Sequence, residues 1–122
     1  MFMSPYVYPD ILRGWTQDLI FDEVCLTYGC DRDYVFSKNS LREPYYVIIR
    51  EVSMAMMRYY RCDGVYLSWA VIGSYFGKSH SQAIHGCRMF LDMWDSDKFF
   101  RAKVGRLFGY RRPDFRVRRS IV

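Results

Sequence analysis

Short apolar stripes at helical spacing, separated by polar or glycine-bearing breaks, set out the elements of this chain. Thr16 stands ahead of Leu19, Ile20, Val24 and Tyr28, and Gly29 follows. A capping hydroxyl, an apolar recurrence of helical period and a glycine stop predict a first helix from Thr16. Residues 31–36 have room for one or two turns, and Ser37 to Arg42 reads as a polar loop. Pro44 suits the first position of the next helix, where its missing N–H costs nothing. Ile48, Val52, Ala55, Met56 and Tyr59 make one stripe of it, and Arg50, Met54, Met57, Arg58 and Arg61 fall on another face. Asp63-Gly64 is expected to end it.

Ser68 caps a short helix to about Phe76, with Val71, Ile72 and Tyr75 inward. Gly77 then makes a turn that needs a left-handed backbone. A helix over 79–92 follows, capped by Ser79, with Ala83, Ile84, Cys87 and Leu91 inside and Ser81, Gln82, His85 and Met89 outside. Projection turns His80 partly inward. Asp95 or Ser96 starts a last helix to about Gly109, whose apolar face is Phe100, Val104, Leu107 and Phe108. No strand pairing, internal repeat or heptad run stands out. The expectation is an all-α, compact helical domain over 16–110, with a helix-turn-helix at about 68–92 and an extra C-terminal helix. An extended arm over 1–15, carrying Pro5, Pro9, Tyr6 and Tyr8, precedes it; a basic tail over 111–122, extended or disordered, follows it.

Composition sharpens this picture. Apolar residues form 51% of the 122, enough for a core in a chain of one-domain length. The net charge of +5 is unevenly placed. Residues 98–122 hold nine of the 18 Lys/Arg and one acid, Asp114, whereas residues 1–97 hold nine bases against 12 acids. The basic end suits phosphate or an acidic protein surface. Cys25, Cys30, Cys62 and Cys87 show no metal-finger spacing and are expected as reduced, mostly buried thiols, as in a cytoplasmic protein. No signal-like start and no transmembrane run appear, so no membrane association is expected.

The outer face of helix 79–92 carries the chemistry. A merely solvated helix shows Glu and Lys; this one shows hydroxyls, an amide and an imidazole, with no carboxylate before Asp92. Such groups donate and accept at base edges and phosphates in a major groove. Catalytic readings fail. His80 and His85 are five apart rather than four, so they do not share a metal on one helix face. Gly77-Lys78-Ser79 resembles the end of a phosphate loop, but Ile72 stands where that loop needs glycine. The chain is therefore expected not to be an enzyme, and no cofactor or metal is expected.

The run Ile72-Gly-Ser-Tyr-Phe-Gly-Lys-Ser-His-Ser-Gln-Ala-Ile-His-Gly86, together with Arg50-Glu-Val-Ser-Met-Ala-Met56 upstream, resembles the C-terminal DNA-binding domain of the bacterial replication initiator DnaA, over about residues 16–92. The resemblance implies an all-helical duplex binder. Carried over by position, Ser79, His80 and Ser81 would read base edges. Gln82, His85, Arg50 and Arg58 would approach phosphates, and Arg42 is the stand-in for a minor-groove arginine. The pattern departs from the family at Ser79, where the family has Asp, and at Ser81-Gln82, where it has Thr-Thr. Glu51 replaces a glutamine that lies near phosphate, and the loop at 37–43 is poor in bases. No nucleotide-binding loop precedes the helices, so a stand-alone protein of phage, mobile-element or accessory type is expected.

The reading is sequence-selective binding of double-stranded DNA in replication or transcription control. Helix 79–92 enters the major groove, and Lys78 joins Arg50 and Arg58 on phosphate. Arg111, Arg112, Arg116, Arg118 and Arg119 add salt-sensitive attraction. The alternative is a protein-interaction module that keeps the fold and binds a host replication or transcription protein without reading DNA, through Tyr6, Tyr8 and Trp94.

Overall fold

A computed structural model describes residues 15–37 and 43–115. These residues form an all-α fold: α1 (Gln17–Tyr28), α2 (Arg32–Val35), α3 (Pro44–Tyr59), α4 (Trp69–Ser74), α5 (His80–Ser96) and α6 (Lys98–Val104), closed by a 3-10 turn over Gly105–Phe108. Their one β-type pairing is the isolated Cys62–Val65 bridge. None of these helices is long and apolar enough to cross a membrane.

Local chemistry explains the starts. Thr16 Oγ1 accepts from Leu19 N at 3.1 Å, and Ser68 Oγ accepts from Val71 N at 3.2 Å. One oxygen of Asp97 accepts from Phe99 N and Phe100 N at 2.9 and 3.1 Å. Asp97, not Asp95 or Ser96, therefore caps the last helix, because its carboxylate alone of the three meets two otherwise unpaired N–H groups. In consequence α5 runs on to Ser96 rather than ending at 92. At the other end of the bundle α3 stops at Tyr59, short of Asp63-Gly64, which instead turn the Cys62–Val65 bridge.

The central element is α3, which packs against α1, α4 and α5. It is not split into an inner and an outer face. Ile49, Arg50, Val52, Ser53, Met54, Ala55, Met56 and Met57 are all buried, because neighbouring helices cover it on several sides. Ile20, Phe21 and Val24 of α1 are buried, Phe21 against Phe36, Tyr75 and Phe76, whereas Leu19, expected inside, is 48% exposed. Arg32 fastens α2 to α1 and α4: its guanidinium pairs with Asp22 and Asp18 and donates to the Tyr75 hydroxyl. Burial raises the thiols of Cys62 to about 11 and of Cys87 to about 12, so both stay protonated.

An aromatic cluster built on Phe90 joins α5 to the C-terminal segment. Phe90 lies within 6 Å, centroid to centroid, of Trp94, Phe100, Phe108 and Phe115. The start of the tail, expected as extended or disordered, has no regular secondary structure over 112–115 but is fastened to the bundle. Arg112 forks onto Asp95 through two bonds of 2.8 Å, Pro113 is buried and Phe115 rests on Phe90.

Candidate nucleic-acid interface

The segment from α4 to α5 makes a tight helix-turn-helix. Gly77 sits at φ 68°, a left-handed conformation that disfavours any side chain. Gly73 faces the backbone of the turn: a Cβ there would lie 2.6 Å from the Ser79 carbonyl oxygen and 2.7 Å from that of Lys78. Lys78 N in turn donates to Gly73 O at 2.9 Å. The start of α5 is therefore held against the end of α4 by direct backbone contact.

Ser79 and Gln82 form a capping box, with Gln82 Oε1 accepting from Ser79 N at 2.8 Å and Ser79 Oγ accepting from Gln82 N at 3.2 Å. Both residues are exposed, yet each has its oxygen engaged in the cap. His80, placed partly inward by projection, is exposed because it occupies the first position of α5, ahead of the first completed turn. Ser81, His85, Arg88 and Met89 are exposed further along the helix, whereas Ala83, Gly86, Cys87 and Phe90 are buried. His80 and Ser81 thus present exposed polar side chains that take no part in the cap.

Four of the residues assigned to phosphate come together. Arg50, Lys78, Gln82 and His85 line a hollow of about 230 Å³ between α3 and α5, with Glu51, Val47, Met54 and Gly86. Arg50 sits deeper than a backbone contact requires. It is 4% exposed, and its guanidinium donates to Val35 O at 3.1 Å, bracing α2. Arg58 lies apart from the hollow: it donates to Leu67 O at 2.6 Å and stacks over the Trp69 ring at 4.4 Å, bracing the approach to α4. Glu51 shares the hollow with these cations, and burial raises its carboxyl to about 7, with Arg50 drawing it down only in part.

Other assignments fall elsewhere. Arg42, Arg116, Arg118, Arg119, Tyr6 and Tyr8 lie outside the described residues. Arg111 is exposed, and Arg112 is held by Asp95. Trp94, proposed as a docking residue, is only 5% exposed, because α5 continues past 92 and carries it onto Phe90 and Phe108. The sequence reading gave no role to Arg88. It lies seven residues after Ser81 and three after His85, on the same exposed face, and that spacing was the available signal. On the far flank of α5, Trp69, Ile84, Cys87, Arg88 and Leu91 form a groove of about 510 Å³ with residues 112–115.

Seventy-three residues of the chain are 36% identical to the chromosomal replication initiator protein DnaA of Synechococcus sp. (strain JA-2-3B'a(2-13)). Part of this chain is related to DnaA. The matched stretch makes up 59% of the chain and only 14% of the DnaA relative. No protein-family model matches the chain, and no solved structure matches it.

Proposed function

We propose that this protein is a non-enzymatic, sequence-selective double-stranded DNA binder of replication or transcription control, of the kind a phage, mobile element or accessory gene would encode. The observation that carries this reading is the exposed, carboxylate-free head of α5, with His80, Ser81, His85 and Arg88 outward and Lys78 beside it. The relation to DnaA, a replication initiator by its name, supports it. In this reading α5 lies in the major groove, His80 and Ser81 meet base edges, and Lys78, His85 and Arg88 meet the backbone. Selection from a random duplex library followed by a gel-shift salt titration tests it. A preferred site should emerge, and H80A with S81A should flatten that preference. K78A should weaken all duplexes alike and lower the salt slope by about 1. Absence of duplex binding at low salt would sink the reading.

One observation favours a second reading, a protein-interaction module. The 510 Å³ groove has an apolar floor of Trp69, Ile84 and Leu91 beside the pinned C-terminal segment. A stoichiometric protein complex that survives nuclease treatment, in a protein that selects no duplex, would replace the first reading with this one.

A further inference from the structure

The hollow between α3 and α5 contains a contradiction that the DNA reading must resolve. Arg50, Lys78, Gln82 and His85 assemble an anion-favouring wall, yet Glu51 lies among them. Its stem is pressed against α5: a Cβ added at Gly86 would sit 3.6 Å from Glu51 Cγ and 2.7 Å from Met54 Cε. Glu51 therefore leaves α3 directly against α5, at the edge of the hollow.

We propose that this hollow is a proton-linked phosphate subsite, in which Glu51 is present as the neutral acid and donates its proton to a non-bridging oxygen of a duplex backbone phosphate. The proposal rests on the DNA-binding reading and names the chemistry of one contact within it. A carboxylate beside phosphate repels it, whereas a carboxylic acid is a strong donor to it. Lys78, from the turn, supplies the countercharge. On α3 the neighbouring charge is Arg50, held by Val35 O. On α5 the facing groups are His85 and neutral Gln82, with the Cys87 thiol on the buried side kept protonated by burial. Burial already holds Glu51 half-protonated near neutrality, so acquiring the proton asks little of the complex. The proton comes from solvent and stays on, or shared by, Glu51 while the duplex is bound.

The test is duplex affinity at fixed ionic strength from pH 6 to pH 8, using the duplex selected above, for the wild type, E51Q and H85Q. One proton taken up per complex makes wild-type affinity fall about tenfold across that range. E51Q, which keeps a neutral donor, should lose less affinity than the wild type across that range and at pH 8 should exceed it about tenfold. H85Q should still fall about tenfold whatever its overall affinity, which separates the carboxyl from the imidazole. A flat wild-type profile, or a slope as steep in E51Q as in the wild type, overturns the subsite while leaving DNA binding in place. Failure of all three proteins to bind duplex at any pH overturns both.

Discussion

Gln82 and Ser79 hold each other's backbone N–H groups, so the first turn of α5 is closed by its own side chains. Removing the Ser79 hydroxyl exposes one N–H and frees the glutamine. S79A should lose about 1 kcal/mol of stability in urea unfolding, while S79T should keep most of it. Amide exchange should quicken first over the opening turn of α5. An S79A protein as stable as the wild type would show that the cap contributes nothing to this helix.

Gly73 meets two carbonyl oxygens of the turn, and neither can rotate away as a side chain would. G73A should therefore cost about 3 kcal/mol, at the upper end of what overpacking does. Thermal melting of G73A beside G64A reads the contrast. Nothing stands within 4 Å of a Cβ at Gly64, so only the strain of its positive φ, 83°, applies there. Equal losses in the two variants would refute a specific contact at Gly73.

Glu51 also makes stability depend on pH in the free protein. Its folded value of about 7 exceeds its ordinary 4.5, so the folded state binds the extra proton. The stabilisation linked to this group is complete below about pH 4.5 and is lost as the pH rises through 7. E51Q should remove that decline and should be the more stable protein at pH 8, by about 2 kcal/mol, less than the full shift would give because the carboxyl is partly open to solvent. Urea midpoints at pH 5 and pH 8 decide it. Parallel losses in the two proteins over that interval would assign the decline to another group.

Phe90 ties three parts of the C-terminal half together. F90A should lose about 3–5 kcal/mol. It should also release residues 111–115, visible as faster amide exchange there than in α1. D95N, which loosens only the exposed Arg112 pair, should leave stability nearly unchanged. Retained protection of 111–115 in F90A would place the anchor at Pro113 instead.

The helical order was legible because caps and turns are local: Thr16, Ser68, Ser79 and Gly77 each act within a few residues. The inner stripe of α5 was partly misread. Ala83, Cys87, Phe90 and Trp94 follow one face at i, i+4, i+7 and i+11, but a helix cut at 92 hides the last member and promotes Ile84 and Leu91, which are half-buried. Projection could not place α3 either, since it assumes one solvent face. Arg50 and Ser53 are buried with their polar atoms bonded to Val35 O and Ile49 O, and such pairing is long-range or internal to the backbone. In the candidate interface, the grouping of Gln82 and His85 with Arg50 of α3 was implicit in the resemblance. The depth of Arg50 and the upward shift of the Glu51 carboxyl depend on packing, which no spacing reports.

The pinned segment has a consequence for the arginines that follow it. Arg116, Arg118 and Arg119 come one, three and four residues after Phe115. Phe115 rests on Phe90, so the chain beyond it sets out from a fixed point against α5. Phe115 therefore works as a tether. If α5 holds a duplex as proposed, any contact made by the residues after Phe115 is intramolecular, governed by effective concentration rather than by protein concentration.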